Sequence, residues 1–209
     1  MNLDAALAVG IEALGLTLQA SQRKQLLTYV HLLAKWNEVY SLTAIRDEYE
    51  MLSHHLLDSL SIVPHVSGRN FLDVGSGAGL PGIPVAVARP ECEVTLLDSN
   101  QKKAAFVQQA VIELELRNAV VHSSRVEAWH PDERFDVIAS RAFSELAEFV
   151  ERTQHLLAAQ GVFAAMKGAY PYAEIERLPD GFRVRAVKRL AVPGLTSERH
   201  LVLVERAKS

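Results

Sequence analysis

Residues Phe71-Leu-Asp-Val-Gly75-Ser-Gly77-Ala-Gly79-Leu-Pro-Gly82-Ile-Pro84 read as a strand, a glycine turn and the opening of a helix. Phe71–Val74 is an apolar run of strand type, and Gly82–Ala88 is a candidate helix. Glycines between them let the chain bend sharply and let a ligand approach the backbone closely. The helix N-terminus that follows presents unpaired N–H groups and positive potential. That order of parts implies a nucleotide-type ligand at the carboxyl edge of a parallel sheet.

Downstream of this turn, short runs rich in Val, Ile, Leu and Phe alternate with helical stretches. The candidate strands are Phe71–Val74, Val94–Asp98, Ala119–His122, Asp136–Ser140 and Val162–Met166. The candidate helices are Gly82–Ala88, Gln101–Leu116 and Glu145–Leu157. Strand–helix alternation predicts right-handed crossovers and a parallel sheet. The first strands are apolar throughout, as expected when helices cover both faces. Phe182–Val192 and His200–Glu205 are strand-like and are joined by Pro193-Gly194-Leu195-Thr196-Ser197. A link that short closes an antiparallel hairpin and not a parallel crossover.

Upstream, residues 1–66 read as a helical extension to a core formed by residues 67–209, the whole chain being one domain. Leu3, Leu7, Ile11 and Leu14 share a helical stripe. Ser21 is a candidate N-cap for a second helix, with Leu26, Val30 and Leu33 on one face. A third helix starts near Asp47, with Leu52, Leu56 and Leu60 spaced by four. These stripes need a partner, and the sheet is the obvious one.

The composition is that of an ordinary globular chain: 209 residues, 49% apolar and 22% charged. The formal net charge of −3 excludes a protein that coats nucleic acid nonspecifically, so positive charge for an RNA partner must be local. Cys92 is the single cysteine, which rules out an intramolecular disulfide and disfavours an oxidising compartment. Glu91 and Glu93 beside it would raise its pKa, leaving an inert thiol. Met1–Gly10 lacks a basic leader region, and no apolar run approaches the about 20 residues that cross a bilayer. Cytoplasmic location is the expectation, without membrane or DNA partners, and with the chain acting as a monomer.

The glycine turn admits two ligand readings. Gly77, Gly79 and Gly82 satisfy the dinucleotide pattern G-x-G-x-x-G, with Asp98 twenty-one positions after Gly77. That reading makes the chain a nicotinamide-dependent oxidoreductase. The alternative pattern is acid-x-Gly-x-Gly-x-Gly, carried by Asp73, Gly75, Gly77 and Gly79, and it resembles motif I of S-adenosylmethionine methyltransferases. The glycine run starts directly at the strand end, two residues before a dinucleotide turn would begin. Asp73 supplies a carboxylate that suits a methionine ammonium and repels a pyrophosphate. Asp98 accepts ribose hydroxyls in either reading, or caps the helix that follows it.

With Trp36-Asn37, Leu42-Thr43-Ala44-Ile45, His54-His-Leu-Leu-Asp-Ser-Leu60, Ser140-Arg-Ala142, Lys167-Gly168 and Arg199-His-Leu-Val-Leu203 added, the whole chain resembles the glucose-inhibited division protein B family. Its members are bacterial methyltransferases that modify a guanine N7 in small-subunit (16S) ribosomal RNA. The unbroken Gly79-Leu-Pro-Gly-Ile-Pro84 makes the match more specific than a generic glycine loop. Asn commonly precedes the Leu-Thr pair in that family, and Ser41 stands there in this chain. The resemblance implies a class I methyltransferase sheet of Rossmann-like type, with S-adenosyl-L-methionine as cofactor. It implies a cofactor site from Asp73, Gly75, Ser76, Gly77, Gly79, Leu80, Val126, Glu127 and Arg141, with Asp98 on the ribose. It also implies a target loop in the decoding region of the small subunit. A methyltransferase on another substrate, or a cofactor-binding module without activity, remains an alternative from the residues alone.

Guanine N7 carries a lone pair and no proton, so methyl transfer to it needs alignment and exclusion of water rather than a general base. Arg141 at the fourth strand's tip, Lys167 after the fifth and His55 in the helical extension are the candidate catalytic residues. Arginine is the usual partner of guanine O6 and N7, and during methylation only O6 is open to it. Rim cations paired with local acids are the competing reading for Arg141, Lys167 and Arg125. His55 and Asp58 either line the cleft or brace their helix as a hydrogen-bonded pair. Trp36 and Tyr40, four apart, either stack on bases or pack on the core. Arg183, Arg185 and Arg189 are read as projecting from one side of a late strand, as a phosphate patch or a solvated face. No His or Cys pattern at ligand spacing accompanies His54 and His55, so no metal is expected.

Overall fold

The computed structural model describes residues 2–141, 143 and 145–207; Ala142 of the Ser140–Ala142 segment lies outside them. The described residues form one seven-stranded sheet of order β3-β2-β1-β4-β5-β7-β6. Its strands are β1 (Asn70–Val74), β2 (Glu93–Asp98), β3 (Ala119–Ser123), β4 (Phe135–Ser140), β5 (Leu157–Lys167), β6 (Phe182–Arg189) and β7 (His200–Arg206). The β1–β2, β1–β4, β2–β3 and β4–β5 pairs are parallel. β7 runs antiparallel to both β5 and β6, as the short Pro193–Ser197 link requires.

Helices cover both faces. α1 (Leu3–Ala13), α2 (Ala20–Tyr40), α3 (Glu48–Met51) and α4 (Asp58–Leu60) share one face with α5 (Gly82–Ala88) and α6 (Gln101–Glu113). Leu7, Leu26, Leu33, Leu56 and Leu60 join Phe71, Val94, Leu96 and Ile83 there in a single apolar cluster. α7 (Leu146–Thr153) covers the other face, where Phe149 meets Leu72, Ile138 and Phe163. The alternation of Phe71 with Leu72 along β1 serves both layers. A short α8 (Tyr172–Ile175) follows β5.

Several boundaries differ from the sequence reading, each for a local reason. Gln19, not Ser21, caps α2, through a reciprocal pair with Gln22. α3 runs into α4 through a π-helical segment, Leu52–Leu57, that periodicity does not reveal. Asn100, not Asp98, caps α6 by accepting from the Lys102 and Lys103 N–H groups. The helix expected over Glu145–Leu157 tightens to a 3-10 turn at Gln154–Leu156, and β5 already begins at Leu157. A register shift between Val184 and Ala186 makes Arg185 an extra residue in β6. Arg183 therefore faces the side of Glu205, whereas Arg189, opposite His200, faces the other side. The three arginines do not project together.

Candidate active site

β1 and β4 are neighbours in space but separate in sequence, so the sheet's order reverses between them and a crevice opens at their carboxyl ends. The glycine turn crosses this edge. Gly75, Gly77 and Gly79 all have positive φ, at 69°, 59° and 86°. The Gly75 and Ser76 N–H groups donate to the Leu97 carbonyl at 2.8 and 3.2 Å, tying the turn to the end of β2. A side chain at Gly75 would meet no atom within 4 Å, so its outer face is open.

Asp73 lies beneath the turn. It is fully buried, and its Oδ2 accepts from the Gly82 N–H at 2.8 Å. A Cβ at Gly82 would stand 2.9 Å from that oxygen and 2.7 Å from a Leu96 methyl, so only glycine brings α5 this close to β1. Burial pushes the Asp73 carboxyl up to about 7, against the Gly82 hydrogen bond and the Arg141 guanidinium. Asp73 Oδ1 and Ser76 Oγ are buried and have no hydrogen-bond partner among the described residues. Two orphaned polar oxygens, one at the end of β1 and one in the turn, call for a donor-rich group, and an ammonium fits them.

Asp98 ends β2 and holds the turn from the side. Its Oδ2 accepts from the Gly77 N–H and its Oδ1 from the Asn100 N–H, each at 2.8 Å. A cavity of about 280 Å³ opens beside it, lined by Gly75, Asp98, Ser124, Arg125, Val126 and Glu127 among others. Val126 is buried at its floor, and the Glu127 carboxylate pairs with Arg152 at 2.8 Å. Leu80 is buried in the core and, like Asp73, Ser76, Gly77 and Gly79, supports the turn from outside this cavity.

A second cavity of about 310 Å³ lies between the helical extension and the ends of β4 and β5. Ile45, His55, Asp58, Arg141, Lys167 and Arg199 line it. The sequence-predicted trio of His55, Arg141 and Lys167 thus meets in one place, with Arg141 here rather than in the first cavity. Asp58 sits between two guanidinium groups, 3.2 Å from Arg199 Nε and 3.6 Å from Arg141 Nη1. Burial pushes its carboxyl up while both arginines pull it down. Arg141 Nη1 also donates to the His54 carbonyl at 3.2 Å. Burial, reinforced by Arg141, lowers His55 to about 4, so the imidazole is neutral at pH 7. Its Nε2 hydrogen-bonds Thr43 Oγ1 at 2.8 Å. Lys167 Nζ pairs with Glu174 at 2.6 Å and donates to the Phe143 carbonyl.

Three residues that shape the site carry no site role on sequence alone, Arg199 standing only within a matching motif. Tyr29 donates its buried hydroxyl to the Ala78 carbonyl at 2.6 Å, bracing the glycine turn from α2. It lies on the same apolar face as Leu26, Val30 and Leu33, so periodicity files it with the core. Arg199 and Glu174 enter through contacts 141 and 7 residues apart, which no local pattern signals. Trp36 stacks on Tyr40 and tilts onto Phe106, so it packs on the core. Among the described residues no group of three or more His, Cys, Asp or Glu side chains gathers as a metal site. None of their helices is long and apolar enough to cross a membrane.

Comparison with known proteins agrees with this geometry. A glycopeptide N-methyltransferase solved with S-adenosyl-L-methionine superposes with a TM-score of 0.59 at 16% identity, over 73% of this chain and 94% of that one. At that identity the likeness concerns the fold alone. Ribosomal RNA small subunit methyltransferase G of Laribacter hongkongensis is 56% identical over 97% of this chain and 98% of its own. The protein of that name from Neisseria meningitidis serogroup A is 57% identical over 99% and 100%. The profile of the family described as rRNA small subunit methyltransferase G matches residues 22–202. With the methyltransferase sheet, the glycine turn and near full-length identity in agreement, this chain belongs to the rRNA small subunit methyltransferase G family.

Proposed function

We propose that this protein transfers the methyl group of S-adenosylmethionine to N7 of a guanine in 16S ribosomal RNA, in the decoding region, acting in the cytoplasm as a monomer. One observation carries the reading. A turn with two orphaned buried oxygens, Asp73 Oδ1 and Ser76 Oγ, and a cationic cavity around Arg141 share one sheet edge. The first suits an amino-acid ammonium, and the second suits a guanine and its phosphates.

The residues present fit the cofactor. Asp73 and Ser76 would hold the methionine ammonium, Asp98 the ribose, and the Val126–Glu127 turn would border the adenine. S-adenosylmethionine supplies a methyl carbon made electrophilic by its sulfonium. The chain's own work is then positional. Arg141, with a side chain 28% exposed, faces the cavity and can donate to guanine O6 while leaving N7 open. Asp58 and the His54 carbonyl fix its orientation. Neutral His55 adds no charge against the cationic product base. Lys167 is neutralised by Glu174, which removes a repulsion that a bare ammonium would exert. No general base is needed, since N7 has no proton to lose.

The test is to incubate the protein with labelled methyl donor and small subunits from a strain lacking the modification, then map the label. A single guanine N7 is expected. Label on another atom, or on protein, overturns the reading. Arg141→Ala is expected to slow the single-turnover methyl step by more than about tenfold, equivalent to about 1.4 kcal/mol. Unchanged kinetics would remove Arg141 from the site.

A further inference from the structure

Next to the cationic cavity stands an aromatic column that the reaction as described does not use. Gly168 lines the cavity, and two residues later the chain reaches Tyr170 and then Tyr172 at the start of α8. The Tyr170 and Tyr172 rings lie 4.3 Å apart between centroids, tilted by 35°. Tyr170 in turn meets the His200 ring edge-on at 5.6 Å. His200 is buried, whereas Tyr172 is 72% exposed. The three rings therefore form a column anchored in the sheet with its last face open to solvent.

The column is held rigidly. His200 Nδ1 hydrogen-bonds the Gly168 carbonyl at 2.7 Å, fixing one end of the loop. Glu174 fixes the other end, accepting from Lys167 Nζ at 2.6 Å and from the Leu146 N–H at 2.7 Å. Packing does not account for Tyr172, because a ring this exposed buries little area. The column is tied to the cavity at two points: Gly168, the partner of His200, lines it, and Glu174, two residues after Tyr172, holds its Lys167. The Arg141 and Arg199 guanidiniums in the same cavity suit a nucleic-acid backbone.

We propose that His200, Tyr170 and Tyr172 form a stacking platform for an unpaired nucleobase flanking the target guanine, with Tyr172 as the contact face. This rests on the RNA methyltransferase reading. An aromatic face accepts any base, so the platform sets how the RNA strand is laid across the cavity and not which base is methylated. The three rings thus specify a binding register for the strand, while Arg141 addresses the guanine itself.

The test compares Tyr172→Leu and Tyr172→Trp with the native protein. Filter binding to unmethylated small subunits and single-turnover methylation are measured in parallel, with S-adenosylhomocysteine affinity by calorimetry as the control for folding. Tyr172→Leu, which keeps an apolar side chain but loses the π face, is expected to weaken small-subunit binding by about tenfold. Its S-adenosylhomocysteine affinity should stay within about twofold of native, while its methylation rate at subsaturating small subunits should fall in step with binding. Tyr172→Trp should restore binding. If the native protein methylates the guanine and Tyr172→Leu binds as tightly as native, the platform is overturned while the function stands. If Tyr172→Leu loses binding but the native protein methylates no small-subunit RNA, Tyr172 stands as an RNA contact, while the function, and with it the platform's place beside a target guanine, is overturned.

Discussion

Asp73 concentrates the chemistry of the site in one carboxyl group. A carboxyl whose native pKa lies near 7 holds a proton that the unfolded chain, with a carboxylate pKa near 4, has already released. Its contribution to stability is therefore lost as pH rises from about 4 to about 7, and is flat above that. Asp73→Asn should abolish that part of the pH dependence, read as the difference between native and variant urea midpoints across the window. An ammonium ligand reverses the preference, because it favours the ionised carboxylate. S-adenosylhomocysteine affinity of the native protein should accordingly rise with pH from about 5.5 to about 7 and then level off. In Asp73→Asn it should be weaker and insensitive to pH there. A native profile as flat as the variant's would detach Asp73 from the ligand. The sequence made Asp73 conspicuous through its spacing to the glycines. It did not show that the carboxylate is sealed under the turn with one oxygen engaged by Gly82, because that follows from how α5 closes over β1.

Ser41 shows the same contrast for a helix end. It terminates α2 at φ 49°, ψ 51°, the left-handed region. That conformation is costly for most side chains and easier for Asn, whose short amide compensates locally. Asn at this place, as in the resembling family, would meet that backbone requirement more easily than Ser. Ser41→Asn should stabilise the protein by about 0.5 kcal/mol, raising Tm by about 1–2 °C, with methylation rates unchanged. A lower Tm on calorimetry would refute this account. Element types were legible here because periodicities of two and of three to four residues separate strand from helix. The π-helical segment at Leu52–Leu57 and the extra residue in β6 were not, since both are one-residue departures from those periods, set by what packs opposite. That single residue is what separates Arg189 from Arg183.

At the scale of the molecule, the sheet order follows from strand–helix alternation and one short link, and so was readable in outline. The cleft was readable in part: His55, Asp58, Arg141 and Lys167 were expected at it, whereas the pairing of Arg199, just before β7, with Asp58 was not, because that contact forms only after the sheet closes. The charge balance now has a consequence for binding. A net charge of −3 leaves the RNA to be held by the few cations at the sheet edge: Arg125, Arg141, Lys167 and Arg199. Each phosphate neutralised on a single strand contributes about 0.7 to the slope of log affinity against log salt. Four contacts therefore give a slope of about −3, and fewer where Asp58 and Glu174 keep their partners. On β6, Arg183 and Arg185 both turn to Glu205 and Arg189 lies on the opposite face, so the strand adds no concentrated phosphate surface. Binding to unmethylated small subunits, titrated from about 50 to about 300 mM KCl at fixed magnesium, should show that shallow slope. Charge reversal at Arg183, Arg185 and Arg189 together should leave it unchanged. A slope steeper than about −6, flattened by that reversal, would place the main RNA contact on β6 and away from the cavity.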